Sequence, residues 1–200
     1  MLINKNNPKN VLLSLLKDFS TTQAITFLGK KLSISRVAIW NILQKFASEN
    51  YIILKPLGEG KTSAYIIKLN WDNILVQKAL TLYLTEEAIL QKRWYANFIT
   101  IEKEVKFCIL YGSILRASQQ ANDIDILCIA DKKKFMKIQH SFDTIQKTTH
   151  KKIHLIQFAE EEFLAELKKP NEAFVDAIKT GIVLYGQENF IQFMKMVQQK

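Results

Sequence analysis

Two aspartates at the start of a strongly apolar segment constrain the fold more than any other feature of the sequence. Asp123 and Asp125 flank Ile124, and apolar side chains continue to Ala130. This pattern predicts a buried strand, in which residues two apart lie on the same face. Two carboxylates side by side against a core are unfavourable unless a cation holds them. Because carboxylate oxygens suit Mg²⁺, the sequence predicts a Mg²⁺ site on Asp123 and Asp125.

A second motif ends the preceding predicted strand. The apolar segment 105–110 leads into Gly112 and Ser113, and nine residues (114–122) then separate Ser113 from the first aspartate. Glycine lets the backbone approach a ligand closely, and amides at a strand-to-helix turn bind phosphate oxygens. The two motifs together resemble the signature of the minimal nucleotidyltransferases of the DNA-polymerase-beta-like superfamily. The resemblance covers residues 105–190, up to the closing segment Gly181–Gly186.

The resemblance implies a role for each motif residue. Gly112 and Ser113 would hold the triphosphate, Arg116 would assist with phosphate, and Asp123 and Asp125 would bind the metal. It also implies Mg²⁺-dependent transfer of a nucleoside monophosphate, AMP from ATP in the first instance, to a hydroxyl with release of pyrophosphate. Similarity to antitoxin-type members favours a protein acceptor, while a small molecule and a nucleic acid end stay open.

The predicted strand 152–158 departs from the superfamily pattern. Members usually carry a third carboxylate on such a strand, but this segment has no acid, and His154 is the nearest equivalent. Two interpretations of His154 stay open: a base for the attacking hydroxyl, or a partly buried strand histidine without a catalytic role. Glu160, Glu161 and Glu162 follow the strand and are typical of the first turn of a helix.

Positive charge is concentrated near the N-terminus. Residues 1–70 contain ten lysines and arginines against three acids, whereas residues 71–200 contain eighteen against sixteen. This asymmetry indicates that the first part meets a polyanion, while the second is an ordinary, nearly neutral domain.

The basic segment resembles the winged helix-turn-helix family. Apolar spacing predicts helices over 11–19 and 23–30 and a third helix that Ser35 caps and that ends near Asn50. A hairpin of strands 51–54 and 64–69 is predicted to follow. The motif Leu32–Ile39 resembles the turn and recognition helix, and the resemblance covers residues 8–69. It implies double-stranded DNA as a partner, with base contacts and phosphate contacts from two sets of residues. These are Arg36, Asn41 and Gln44 for bases, and Lys30, Lys31, Lys45 and Lys61 for phosphates. Trp40 is predicted to lie on the exposed face of the recognition helix, and it leaves a protein interface open as the alternative.

A helical connector is predicted between the two parts. Asp72 is expected to cap a helix over 73–84, and Thr85 to start a second one. An apolar stripe in the second helix indicates core or a dimer interface, and a homodimer is the expected assembly. Its members are Ile89, Leu90, Trp94, Phe98 and Ile101.

The predicted architecture is therefore a two-domain α/β (α+β) protein. It has a winged helix-turn-helix domain over 1–70, a connector over 71–104 and a nucleotidyltransferase-like domain over 105–200, a mixed sheet flanked by helices. Without a signal peptide or membrane span, the chain is expected to be soluble and cytoplasmic. Cys108 and Cys128 are expected to be buried thiols. Two functions stay open: a nucleotidyltransferase with a DNA-binding domain, or a DNA-binding regulator whose C-terminal fold only binds nucleotide or dimerises.

Overall fold

The computed structural model describes residues 7–18, 25–57, 64–169 and 172–199. The chain forms two compact units. The first extends to Tyr83 and includes the chain from Met194, and the second contains Leu84–Phe193. Among the described residues, no helix is both long enough and apolar enough to cross a membrane.

The first unit begins with helices and continues into a hairpin. The helices are α1 (Asn7–Leu16), α2 (Ile25–Leu32) and α3 (Arg36–Ser48). Strands β1 (Ile52–Leu57) and β2 (Ala64–Leu69) pair antiparallel, so that Ile52 lies opposite Leu69. Helix α3 packs on α2 and β1, and α1 packs on α2 and β2. Three helices followed by a hairpin agree with the predicted element order, although α1 starts before the predicted residue 11.

The start of α3 is defined by its cap and by a tight turn. Ser35 has extended backbone angles and its side chain accepts a hydrogen bond from the N–H of Ala38 at 3.2 Å, as an N-cap does. Ser33 adopts a positive φ of 55°, and the N–H of Ile34 bonds to the carbonyl of Gly29 at 2.9 Å. A Cβ on Gly29 would lie only 2.9 Å from the carbonyl oxygen of Ile34. The close approach of α2 to this turn therefore requires glycine.

The connector differs from its prediction. Helix α4 runs without interruption from Ile74 to Leu90, so the second start predicted at Thr85 is wrong. Its cap also differs, because Asn73 rather than Asp72 accepts a hydrogen bond, from the N–H of Leu75 at 2.9 Å. Good helix-forming residues continue through Thr85, so a potential cap there does not end the helix. A short helix α5 (Lys92–Asn97) and a 3₁₀ turn (Ile99–Ile101) follow.

The second unit holds a mixed sheet of four strands in the described residues, as predicted. Its strands are β3 (Phe107–Tyr111), β4 (Asp123–Ile129), β5 (Lys152–Phe158) and β6 (Ile182–Tyr185), in the order β5-β4-β3-β6. Strand β5 is parallel to β4, and β3 is antiparallel to both β4 and β6. The helices around it are α6 (Ser113–Arg116), α7 (Phe135–Gln146), α8 (Glu160–Glu166), α9 (Glu172–Thr180) and α10 (Gln187–Gln199), the last of which crosses the boundary between the units.

The two faces of this sheet bury different side chains. Ile124, Ile126 and Cys128 of β4 belong to a core cluster that also contains Trp94 and Phe98. These two aromatic residues of the predicted apolar stripe are therefore core, not interface. The opposite face carries a cluster of stacked and edge-on phenylalanine rings from β3, β5 and the helices: Phe107, Phe158, Phe163, Phe174, Phe190 and Phe193. Cys108 and Cys128 are free, fully buried thiols, as predicted.

Candidate functional site

Asp123 and Asp125 lie at the start of β4, on the face opposite the core cluster. Strand alternation sends Ile124 and Ile126 into that cluster and the two carboxylates to the other side. Their side chains are 34% and 24% exposed, respectively. The carboxylates are therefore close to the core and still open to a ligand.

Gly112 brings the end of β3 against the carboxylate of Asp125. Its φ of 82° is in the region that side chains rarely adopt, and a Cβ there would collide with Oδ2 of Asp125. The short turn that follows places the Ser113 hydroxyl 3.4 Å from Oδ1 of Asp123, to which it donates a hydrogen bond. The glycine and the serine of the predicted motif thus each contact one of the two aspartates.

His154 of β5 meets both aspartates. The parallel register pairs Asp125 with His154, and Nδ1 of the histidine lies 3.5 Å from Asp123 Oδ2 and 3.5 Å from Asp125 Oδ1. The side chain of His154 is 43% exposed. His154 is thus a partly buried strand histidine whose ring faces two carboxylates at the rim of the sheet, and both interpretations left open by the sequence remain predictions.

Electrostatics at this rim favour a cation. Burial, and then the negative charge of Asp123, raise the pKa of Asp125, although the hydrogen bond and charge of His154 oppose the shift. Tyr111 lies opposite Asp125 in the β3–β4 register, and burial and the charge of Asp125 raise its pKa to about 12. Negative charge is therefore unfavourable here until a positive ion or group compensates it.

Tyr111 is a site residue that sequence reasoning missed. The signal was present, because Tyr111 directly precedes Gly112 and an antiparallel partner of β4 would place it beside the aspartates. Its raised pKa keeps the hydroxyl protonated near neutral pH, so Tyr111 is a hydrogen-bond donor there and not a base.

The donor set fits a small divalent cation. Ligand atoms of Asp123, Asp125 and His154 all lie within 4.8 Å of one another. Two carboxylate oxygens suit Mg²⁺ or Mn²⁺, and a neutral imidazole nitrogen is a metal ligand as well. The absence of a Cβ at Gly112 leaves Asp125 Oδ2 uncovered. The third carboxylate of the superfamily pattern has no counterpart in β5, and α8 begins with Glu160, Glu161 and Glu162, both as the sequence predicts.

Comparison with known proteins supports one part of the chain. Residues 96–189 match the family model of the polymerase beta nucleotidyltransferases. The matched segment starts ahead of β3, includes the aspartates, Gly112 and His154, and covers just under half of the chain. Searches of curated proteins and of solved structures found no match. The match supports nucleotidyl transfer, a reaction that generally uses a nucleoside triphosphate and a divalent metal.

Arg116 and the residues predicted to contact DNA lie on the surface. Arg116, at the end of α6, is exposed. On α3, Arg36, Asn41, Gln44 and Lys45 are exposed, and Lys45 is 3.9 Å from Glu49. Lys30 and Lys31 near the end of α2 are exposed as well. Lys61 lies outside the described residues.

Trp40 is less exposed than its position on α3 predicted. Its ring packs against Tyr65 of β2, with ring centroids 5.0 Å apart, and is half-buried. Beside it, Val37 is 69% exposed. A surface pocket of about 390 Å³ lies here, lined by Ile25, Arg36, Val37, Trp40 and Tyr65. The exposed side of α3 therefore offers apolar surface as well as charge.

Proposed function

We propose that the chain transfers a nucleoside monophosphate, AMP from ATP, to a hydroxyl acceptor. The observation that carries the proposal is the pair Asp123 and Asp125, open at the sheet rim with Gly112 and His154 against them, within a segment that matches the nucleotidyltransferase family. The two carboxylates would hold a divalent cation, which the sequence predicts to be Mg²⁺. When bound, it neutralises negative charge on the phosphates.

Three further residues are proposed to position the triphosphate. Gly112 allows the backbone to come close to it, and the first N–H groups of α6 have no acceptor within their own helix. Ser113 is proposed to hold the triphosphate together with Gly112, and its hydroxyl also donates to Asp123. Arg116 is exposed one turn further on and supplies a positive charge for a phosphate.

The transfer is a displacement at the α-phosphorus. The acceptor oxygen forms a bond to this phosphorus while the bond from it to the oxygen that bridges to the β-phosphate breaks. Pyrophosphate leaves with the electron pair of that bond, and the hydroxyl proton passes to water. The chain's contribution is to hold the phosphates in line and to keep the two carboxylates beside them.

ATP labelled at the α-phosphate tests the reaction without knowledge of the acceptor. The full chain is incubated with fractionated cell extract, and label is followed into protein, nucleic acid or small molecules. We expect transfer from α-labelled ATP and none from γ-labelled ATP, since nucleotidyl transfer releases the γ-phosphate in pyrophosphate.

Asp123→Asn and Asp125→Asn are the matched variants, and each should reduce transfer by about 10²–10³-fold, comparable to the loss of a major electrostatic group in an active site. Transfer that survives both substitutions would exclude this site as its origin. GTP, CTP and UTP, tested alongside, define the nucleotide preference.

We also propose that residues 1–70 form a winged helix that binds double-stranded DNA. The proposal rests on the capped helix α3, its exposed residues Arg36, Asn41 and Gln44, and the excess of positive charge in this part of the chain. Val37 beside them offers apolar contact for thymine methyl groups. The alternative for the whole chain is a DNA-binding regulator without catalytic activity. This alternative predicts DNA binding and no transfer of label from α-labelled ATP.

Salt dependence tests the DNA proposal directly. Titration of the full chain with duplex DNA at several salt concentrations should give log K falling linearly with log salt, with a slope close to the number of phosphates contacted. Binding that is absent even at low salt would overturn it.

The homodimer expected from the connector is proposed to form through α4. Leu75, Leu82 and Ile89 are exposed and seven residues apart, so they recur at one of the two positions that line a coiled-coil seam. The buried stripe of the same helix, Val76, Leu80 and Leu84, lies on its opposite side. Light scattering should give the mass of a dimer, and Leu82→Lys should give the mass of a monomer. A monomeric mass for the unchanged chain would contradict the proposal.

A further inference from the structure

His154 adds a nitrogen donor to the carboxylate site. The site would otherwise offer only oxygen, since Asp123 and Asp125 are its other donors and β5 carries no acid. The identity of the donor atoms decides which cation a site prefers. A histidine at this place therefore bears on the metal, independently of the acceptor and the nucleotide.

The ring is held where a third ligand is needed. Its Nδ1 is equally far, 3.5 Å, from one oxygen of each aspartate. Neighbouring ligands on an octahedral ion with bonds of about 2.1 Å are roughly 3 Å apart, so the nitrogen needs to approach each of these oxygens by about half an ångström to share one ion with them. The parallel pairing of β5 with β4 fixes His154 beside Asp125, and the 43% exposure of its side chain leaves room for phosphate oxygens or water.

Mg²⁺ and the first-row transition ions respond differently to such a donor set. Mg²⁺ strongly prefers oxygen and gives up its water reluctantly, whereas imidazole binds transition ions well. Mn²⁺ has the lowest affinity of the divalent transition series for a given site, so a preference for Mn²⁺ over Mg²⁺ is the strictest form of the test.

We propose that His154 is the third protein ligand of this site, and that it makes the site bind a first-row transition ion, Mn²⁺ in the test, more tightly than Mg²⁺. This inference rests on the proposed function, because it concerns the same cation site. A nitrogen that binds the ion cannot also accept a proton, so the assignment separates the ligand role from the base role predicted for His154.

Mn²⁺ alone, without nucleotide, is the probe. Electron paramagnetic resonance of free Mn²⁺ gives the dissociation constant for the full chain, and competition gives that of Mg²⁺. We expect His154→Gln to weaken Mn²⁺ about 10–100-fold and to leave Mg²⁺ nearly unchanged. His154→Asp should shift the preference back towards Mg²⁺. His150→Gln, an exposed histidine just before β5, is the matched control and should change neither constant.

A spectroscopic signature identifies the ligand atom. Pulsed resonance of the Mn²⁺ complex, with isotopically labelled histidine, should show coupling to nitrogen in the unchanged chain and none in His154→Gln. Circular dichroism checks that each variant is folded, and His154→Gln keeps the test valid if His154→Asp does not fold.

The outcomes separate the two proposals. Mn²⁺ that binds without nitrogen coupling, and equally well to His154→Gln, overturns the role of His154 and leaves the carboxylate site standing. Mn²⁺ and Mg²⁺ that both fail to bind the unchanged chain overturn the cation site and the proposed function together.

Discussion

The two candidate functional regions of this protein are built on different principles. In the second unit, Asp123, Asp125 and His154 meet because neighbouring strands are held in one register. In the first unit, Arg36, Asn41 and Gln44 share the exposed side of one helix and make no comparable cluster in the described residues.

The difference determines what each region can do. At the sheet rim, two like charges repel each other and are partly removed from water. A small cation that binds between them offsets this repulsion, so the rim favours such a ligand. On an exposed helix, charged side chains stay hydrated and destabilise the fold little. Their charge contributes binding free energy only when an extended anionic surface is bound. Substitutions at the sheet rim should therefore change cation binding, whereas substitutions on α3 should change binding to an extended polyanion.

Gly112→Ala and Gly186→Ala give the largest expected contrast. Both glycines have positive φ, 82° and 74°, and at both a Cβ would collide, with Asp125 at Gly112 and with the carbonyl of Lys106 at Gly186. Each alanine should lower the free energy of unfolding by about 1–3 kcal/mol through backbone strain. Gly186→Ala should cost more than this, because its Cβ would meet backbone atoms of Lys106 and Phe107 rather than a side chain that can move. Gly112→Ala alone should weaken Mn²⁺ as well, about 10–100-fold, because it displaces a proposed ligand.

Urea unfolding and Mn²⁺ titration measure the two effects separately. Gly186 is the control, since it lies against Lys106 and Phe107, at the end of β3 remote from Tyr111. Equal Mn²⁺ affinity in the two variants would contradict the importance of the contact between Gly112 and Asp125.

Arg36→Ala should weaken DNA binding and leave the cation site intact. Loss of an arginine that contacts a base costs about 1–3 kcal/mol, roughly tenfold or more in affinity. Lys179→Ala, an exposed lysine of α9, removes the same charge from the second unit and is the control. Fluorescence anisotropy with labelled duplex gives both affinities. If the two variants weaken DNA binding equally, the net charge of the chain rather than a contact from α3 explains the affinity.

More of the sheet site than of the helix surface could be predicted from the sequence. The aspartate pair, the glycine before it and the strand with His154 were all placed correctly along the chain, because strand alternation and apolar runs leave few alternatives. The 3.5 Å contacts of His154 with both carboxylates depend on the β4–β5 register, which no local pattern encodes. Tyr111 was missed for the same reason: its neighbour is fourteen residues away in the chain and directly opposite in the sheet.

In the first unit, local signals were sufficient for the elements but not for their surroundings. Ser35 was predicted as a cap from its residue type, and the hydrogen bond to Ala38 confirms it. Trp40 was predicted to be exposed from helical periodicity, yet its ring packs on Tyr65 of the hairpin, a contact that only tertiary structure supplies. Thr85 shows the converse case, a good cap residue that the surrounding helix overrides.

Ser35→Ala tests whether the stability of the first unit can change without a change in cation binding by the second. Loss of an N-cap costs about 1 kcal/mol, because the N–H of Ala38 loses its acceptor. We expect a lower free energy of urea unfolding and unchanged Mn²⁺ affinity. Ser48→Ala, whose hydroxyl donates only to the carbonyl of Lys45 at the other end of α3, should cost less and is the control. A loss of Mn²⁺ affinity in Ser35→Ala would show that the two regions are coupled.

Asp125→Asn should stabilise the metal-free chain at neutral pH, which is the smallest effect expected. Burial and Asp123 raise the pKa of Asp125 above its ordinary value of 3.8, so the folded chain holds this proton more tightly than the unfolded one. The stability that the aspartate contributes is then full below pH 3.8 and is lost as the pH rises through the higher folded value. Asparagine cannot ionise and avoids that loss.

The advantage of Asp125→Asn should therefore grow with pH above about 4 and then level off, and urea unfolding in the presence of a chelator measures it. Asp176→Asn, at an exposed position on α9, is the control. Saturating Mn²⁺ should reverse the order, because at a hundred times the dissociation constant a bound ligand stabilises the unchanged chain by about 2.7 kcal/mol. A variant that is less stable than the unchanged chain without metal, at every pH, would mean that His154 already compensates the carboxylates, and that no cation is needed to hold them together.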